Sequence, residues 1–167
     1  MRYNSLMEPL WEGSQLLELA SLPEETRDVL AGGWQVGPAG SLLLASLYGS
    51  GWRTDWAPED VAQHELEVND LHISSQGAPE ERGQFLVEMV SRARTAACFA
   101  LKAADTFPSS ELLVAVISVG IEDDYLPHGA TVKILTHRGG YPRWLDDLDK
   151  FRLEAMALME PRDIGCD

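Results

Sequence analysis

The feature that most constrains the fold is a helical pattern that runs from about Pro79 to Asp105. Small and apolar residues recur there every three to four positions, so they form one continuous stripe along a helix of about 40 Å. Because most residues of the stripe are alanines, a sheet or a second helix can approach this helix closely. The stripe consists of Phe85, Met89, Val90, Ala93, Ala96, Ala97, Ala100, Leu101 and Ala104.

Two segments after this helix have the composition of strands. Glu111–Ile121 is nearly all apolar and rich in β-branched residues, which is typical of a central strand covered on both faces. Thr131–His137 alternates between residues that face one side of a sheet and residues that face the other. The nine residues between the two segments predict a long hairpin connection and therefore an antiparallel pair.

The last periodic segment predicts a C-terminal helix from about residue 142 to residue 159. The order of elements contains no alternating series of strands and helices, so a parallel sheet is not expected. We therefore predict an α+β fold, in which the long helix (about 79–105) and the C-terminal helix (about 142–159) pack on a small, mainly antiparallel sheet. The buried stripe of the C-terminal helix would be Trp144, Leu148, Phe151, Ala155 and Leu158.

The 167 residues suit a single globular domain that covers 1–167, with the last few residues expected to be disordered. Two stretches allow either a helix or a strand. Ser41–Tyr48 is a short apolar run whose periodicity does not decide between them. Residues 64–73 follow a good helical first turn at Pro58 but end in a strand-like pattern, so a bulge or a change from helix to strand is expected there.

The charge balance limits the classes of partner. The chain has 13 Lys and Arg residues against 27 Asp and Glu residues, which gives a net charge of −14. This balance argues against a nucleic-acid binder, which needs basic residues to replace the counterions of phosphate. It argues in the same way against binding to an anionic membrane surface. Two interpretations stay open: the charge serves solubility, or it steers a basic protein partner.

The sequence favours a cytoplasmic protein in a reducing environment. The first residues lack the basic segment and the apolar segment of a secretory signal. No apolar run approaches the roughly 18 residues of a transmembrane helix. The two cysteines, Cys98 in the long helix and Cys166 near the end, make a poor disulfide pair.

An acidic stretch from Asp55 to Asp70 is the strongest candidate for a partner-binding surface, because it contains no Lys or Arg. Acidic groups beside aromatic residues are typical of surfaces where aromatics anchor a basic partner and acids steer it. A solvated helix face beside core tryptophans is the other interpretation. The candidate residues are Trp52, Asp55, Trp56, Glu59, Asp60, Glu65, Glu67 and Asp70, with Glu122, Asp123 and Asp124 as a further acidic group.

These residues favour a non-enzymatic domain that binds and masks or positions a basic protein. An immunity protein that covers a cationic toxin would be one example of such a function. The alternative is a small-molecule-binding protein or an enzyme with a pocket at the end of the Thr131–His137 strand. His137 would transfer protons there and an arginine would contact an anion. The candidate ligand-binding residues are His137, Arg138, Tyr141, Arg143 and Trp144.

No motif for a metal, a phosphate or a catalytic nucleophile is present in the sequence. The four histidines form neither H-x-x-x-H nor H-E-x-x-H, and G-x-S-x-G and G-x-G-x-x-G do not occur. We therefore expect no metal, no cofactor and no catalytic residues. An uncovered edge on so small a sheet would favour a homodimer, but the sequence does not show such an edge.

Overall fold

A computed structural model of the chain describes residues 1–49, 51–122, 129–138 and 142–165. The strands are β1 (Arg2–Tyr3), β2 (Trp34–Val36), β3 (Leu42–Leu44), β4 (Asp70–Ile73), β5 (Leu113–Gly120), β6 (Ala130–Thr136) and β7 (Glu154–Met159). The helices are α1 (Glu8–Gly13), α2 (Glu24–Ala31), α3 (Val61–Val68) and α4 (Arg82–Ala103).

The main sheet has five strands in the order β1-β7-β5-β6-β4, and every neighbouring pair is antiparallel. β2 and β3 form a separate antiparallel hairpin. The chain therefore has the α+β fold that the sequence predicts, with the long hairpin pair β5 and β6 in the middle of the sheet. Among the described helices, none is both long enough and apolar enough to cross a membrane.

The 22-residue helix α4 covers one face of the main sheet. Its predicted apolar stripe is confirmed, because every residue of the stripe is buried against the sheet and its flanking helices. The side chain of Glu81 accepts hydrogen bonds from the N–H groups of Gly83 and Gln84, so it caps the first turn and its pKa lies below the usual range. The strands contribute alternate small and branched residues to this interface, including Ala115, Ile117, Val132, Ile134, Ala155 and Ala157.

The opposite face of the sheet is covered at one end. Leu66 of α3 and two 3-10 turns, Arg143–Leu145 and Leu148–Lys150, pack against the apolar residues that point to this side. These sheet residues are Val114, Val116, Leu135, Met156 and Leu158. Further along the same face, β5, β6 and β7 carry polar residues outside this apolar cluster.

The predicted C-terminal helix (about 142–159) is wrong, because the segment consists of the two 3-10 turns followed by β7. β7 pairs with β5 on one side and with β1 on the other, and these pairings outweigh the helix propensity of its Ala, Met and Leu residues. Since β7 is buried on both faces, its apolar residues form a continuous run. The spacing of such a run does not distinguish a strand from a helix.

The two ambiguous stretches have different structures. Within Ser41–Tyr48, residues Leu42–Leu44 form the short strand β3. Residues 64–73 change from helix to strand, since α3 ends at Val68 and β4 begins at Asp70. The change of periodicity in the sequence therefore marks a real junction rather than a bulge.

Candidate functional site

Glu65 is a buried structural residue of α3, although the sequence placed it on the partner-binding surface. Glu65 is fully buried, with 0% of its surface exposed to solvent. One carboxylate oxygen accepts the main-chain N–H of Leu42 at 2.8 Å, and the other accepts the N–H and the hydroxyl of Thr136. Burial raises the pKa of Glu65 above its usual range, although these hydrogen bonds and the charge of Arg138 act in the other direction. Glu65 therefore joins β3 to β6 and does not face a partner.

Asn69, which follows α3, makes a second connection between the same strands. Its side-chain oxygen accepts the N–H of Leu44 at 2.8 Å. Its amide nitrogen donates to the carbonyls of Leu42 at 2.8 Å and Ile134 at 3.0 Å. Because Glu65 and Asn69 lie one helical turn apart and both point inward, the opposite side of α3 faces solvent.

The remaining acids of the stretch are exposed and form what we name the α3 acidic surface. Asp70 pairs with Lys133, and Glu67 accepts a hydrogen bond from Gln63 at 3.0 Å. Glu59 and Asp60 form no ion pair with any described residue. The surface is defined by Asp55, Glu59, Asp60, Glu67 and Asp70.

Asp55 has a strong local partner. Its two oxygens accept hydrogen bonds from the guanidinium group of Arg53, each at 2.9 Å. These bonds hold the pKa of Asp55 below its usual range. The charge of the α3 acidic surface that no Lys or Arg compensates thus lies at Glu59, Asp60 and Glu67.

The two tryptophans beside the acidic stretch have different environments. Trp56 is 7% exposed and its ring stacks on His64, with 4.7 Å between the ring centroids. It therefore belongs to a small core with Leu43 and Val68 and is not available as a surface anchor. Trp52 is 38% exposed and lines an open depression of about 330 Å³ with Tyr48. Trp52 can contact a partner.

The candidate ligand-binding residues at the end of β6 that the structure describes do not converge. His137 lines a depression with Glu111 and Glu160, whereas Arg138 donates hydrogen bonds to the hydroxyl of Thr136 and to the carbonyls of the turn between β2 and β3. Arg138 therefore clamps a turn and does not present its guanidinium group to an anion. Arg143 is exposed, Trp144 lies on the face opposite α4, and Tyr141, Asp123 and Asp124 lie outside the described residues.

A groove that the sequence did not predict lies on the polar part of the sheet face opposite α4. The strand register places Ser118 beside Thr131 and Met156 on this face, and Val116 beside Lys133. We name this cavity, which has a volume of about 190 Å³, the sheet groove. Its polar residues are Ser118, Thr131, Lys133 and Glu154, and its apolar walls are Val116, Met156, Trp144 and Phe151.

The aromatic wall of the sheet groove is held by the covered end of the sheet. Leu145 and Leu148 are buried in the apolar cluster and fix the segment that carries Trp144 and Phe151. The two rings meet edge to face, with 6.1 Å between the centroids and 76° between the planes. Trp144 stays 41% exposed. A ligand in the groove can therefore contact an aromatic ring that is already positioned.

The polar floor of the sheet groove carries one carboxylate without an ionic partner. The hydroxyl of Ser118 donates a hydrogen bond to Oε2 of Glu154. Oε1 of Glu154 accepts no hydrogen bond from the described residues. Lys133 lies nearby, but its ammonium group pairs with Asp70. The groove continues into a second depression of about 330 Å³, which shares Ser118, Thr131 and Glu154 and reaches the exposed Glu122.

The sequence contained a signal for this groove. Ser118 is a polar residue within a strand that otherwise reads as buried on both faces. A polar residue in such a strand indicates where the covering of one face ends. The position of Glu154 could not be found in the same way, because its segment was interpreted as a helix.

Comparison of the chain with protein-family models, with curated proteins and with solved structures finds no match. Across the described residues, no group of three or more His, Cys, Asp or Glu side chains is placed to hold a metal ion.

Proposed function

We propose that this protein is a non-enzymatic protein-binding domain whose α3 acidic surface docks a basic partner protein. The observation that carries the proposal is the exposure of Glu59 and Asp60 without ion pairs, in the 3-10 turn that leads into α3, a helix whose inner side is fixed by Glu65 and Asn69. Uncompensated carboxylates at the start of a helix that is fixed to the fold provide a defined surface for complementary charge.

The whole-chain charge supports the same proposal. A net charge of −14 attracts a basic protein over distances of about one Debye length, which is about 8 Å at physiological ionic strength. The exposed Trp52 lies close in sequence to the acids and can supply apolar contact area. In this arrangement the acids accelerate the encounter, and the aromatic residue slows dissociation.

The hydrogen bonds of Glu65 and Arg138 also support a function in binding rather than in catalysis. The buried carboxylate of Glu65 is occupied by three hydrogen bonds, and the guanidinium group of Arg138 is occupied by the turn between β2 and β3. Both groups therefore stabilise the fold. A cytoplasmic location belongs to the same proposal.

Affinity capture with a matched pair of variants tests the proposal. Glu59→Gln/Asp60→Asn removes two charges from the α3 acidic surface. Glu12→Gln/Glu18→Gln removes two exposed charges from the α1 region, which packs on α4 on the other side of the sheet. We expect a basic protein to be captured from extract at low salt by the wild type and by the α1-region variant. We expect it to be captured weakly by the α3 variant.

The captured protein is then purified, and its association rate is measured against ionic strength. Electrostatic steering predicts a rate constant that falls by about an order of magnitude as the Debye length shortens from about 30 Å to about 8 Å. The α3 variant should show a shallower dependence than the α1-region variant. Equal rates for both variants, with no dependence on salt, would refute the proposal.

A further inference from the structure

We infer that the sheet groove binds an arginine side chain of the basic partner. This inference rests on the proposed function, because it identifies the residue type that the partner inserts. Three features of the groove select a guanidinium group: a carboxylate with a free acceptor, an exposed aromatic wall and a local excess of negative charge.

The carboxylate of Glu154 is oriented but not saturated. Ser118 donates to Oε2 and so fixes the side chain, while Oε1 accepts no hydrogen bond from the residues that the structure describes. The residue is partly buried, so a hydrogen bond from a charged donor would form in an environment with less water than the open surface. A guanidinium group presents planar N–H donors that suit a carboxylate in this position.

The aromatic wall favours the same ligand. The ring of Trp144 is 41% exposed and is supported at its edge by Phe151. A guanidinium group stacks on the face of such a ring, while its N–H groups point outward within the guanidinium plane to acceptors at its edge. Trp144 and Glu154 line one cavity, so a single side chain can contact both residues.

The charge of the groove disfavours anions and apolar ligands, and its size accommodates a side chain. The sheet groove has a volume of about 190 Å³, which equals about six water molecules and accommodates the end of a side chain. Lys133 is neutralised by Asp70, whereas Glu154 and the neighbouring Glu122 form no ion pair with a described residue. An anion would be repelled by Glu154, and an apolar ligand would remove water from its carboxylate without replacing the hydrogen bond.

The test uses N-acetylarginine N-methylamide as the probe and the indole N–H signals of the protein as the readout. Trp144→Phe assigns the signal of Trp144 among the five tryptophans. We expect this signal to shift in a saturable manner at millimolar probe. N-acetylcitrulline N-methylamide has nearly the same shape without the charge, and it should cause a shift at least about tenfold weaker at equal concentration, because the charged hydrogen bond is lost.

Two variants complete the test. Glu154→Gln keeps an acceptor for Ser118 but removes the charge, and it should weaken binding of the arginine probe at least about tenfold. Glu12→Gln removes a charge on the other side of the sheet and should leave binding unchanged. Unchanged amide spectra outside the groove show that each variant is folded. Equal binding of arginine and citrulline, or equal binding by Glu154→Gln and the wild type, would overturn the inference.

This experiment is independent of the α3 acidic surface because it needs no partner protein. Failure of the probe to bind would remove the groove as an arginine site and leave the salt and charge tests of α3 in force. The probe could bind while the association rate of the partner is the same with and without the charges of Glu59 and Asp60. This result would support the groove as an arginine site and refute the role of the α3 acidic surface.

Discussion

Oε2 of Glu65 accepts hydrogen bonds from both the main-chain N–H and the hydroxyl of Thr136, each at 2.6 Å. The other oxygen of the same carboxylate accepts the N–H of Leu42. One side chain of α3 therefore satisfies the end of β6 and the start of β3. The hairpin of β2 and β3 is attached to the main sheet through these contacts rather than through a shared strand ladder.

Glu65→Gln should destabilise the protein by about 1–3 kcal/mol, because one main-chain N–H loses its acceptor. Glutamine offers one oxygen, whereas Leu42 and Thr136 present donors to both oxygens of the carboxylate. The amide nitrogen of glutamine cannot accept either bond. Urea unfolding followed by circular dichroism measures the loss. Gln63→Ala, on the exposed side of α3, is the control and should change stability by less than about 0.5 kcal/mol.

The stability difference between the wild type and Glu65→Gln should shrink as the pH rises. Burial raises the pKa of Glu65, so between the unfolded and the folded pKa the folded chain keeps a proton that the unfolded chain has released. The contribution of Glu65 is therefore fully present below the unfolded pKa and is lost as the pH rises through the folded pKa. Unfolding free energies of both proteins from pH 4 to pH 8 measure the difference. A gap that widens with pH would show that the hydrogen bonds outweigh burial.

Asn69→Ala should be more damaging than most surface changes, with a loss of about 3 kcal/mol or more. The variant leaves the N–H of Leu44 and the carbonyls of Leu42 and Ile134 without their side-chain partner in a buried site. The urea concentration at the midpoint of unfolding should fall, while the dependence of the unfolding free energy on urea concentration should stay constant. Asn69→Asp keeps one acceptor and loses both donors. A loss for Asn69→Asp as small as that of an exposed substitution would contradict this assignment.

The sequence predicts those parts of the fold whose residues have one strong periodicity. α4 is recognisable because its stripe is long, and β5 and β6 are recognisable because their β-branched residues are consistent over a full strand. β7 is not recognisable, since its strand state depends on pairing with β1 at the other end of the described chain. The spacing of apolar residues within a segment does not indicate whether that segment pairs with a strand far away in the sequence.

The candidate site is predictable only in part, because charge can be counted in a sequence but side-chain direction cannot. The exposed acids at Glu59 and Asp60 follow from composition and from the helical first turn. The inward direction of Glu65 depends on where α3 meets β3 and β6, so the sequence cannot separate it from Glu67. The sheet groove depends on the strand register and on the segment between β6 and β7, and neither is encoded in a short motif.

Ala39→Gly should stabilise the protein by about 0.5–1 kcal/mol. Ala39 has a φ of 52° in the turn between β2 and β3, a left-handed conformation that glycine adopts without the penalty of a side chain. Arg138 donates to the carbonyl of Ala39, so the turn should keep its position in the variant. Ala103→Gly, at the exposed end of α4, is the matched control and should destabilise by up to about 1 kcal/mol. Thermal unfolding of both variants shows whether the change in stability has opposite signs at the two positions.

Trp52 and Trp56 should respond to truncation in opposite ways. Trp56→Ala removes a ring that packs on His64 and fills a small core, so it should cost about 3–5 kcal/mol of stability. Trp52→Ala removes a ring that is 38% exposed and should change stability by less than about 0.5 kcal/mol. Under the proposed function, Trp52→Ala should instead weaken binding of the basic partner by about tenfold or more, mainly through faster dissociation. Urea unfolding and binding kinetics measured on the same two variants separate these effects. If the partner dissociates from Trp52→Ala at the same rate as from the wild type, Trp52 does not belong to the partner-binding surface.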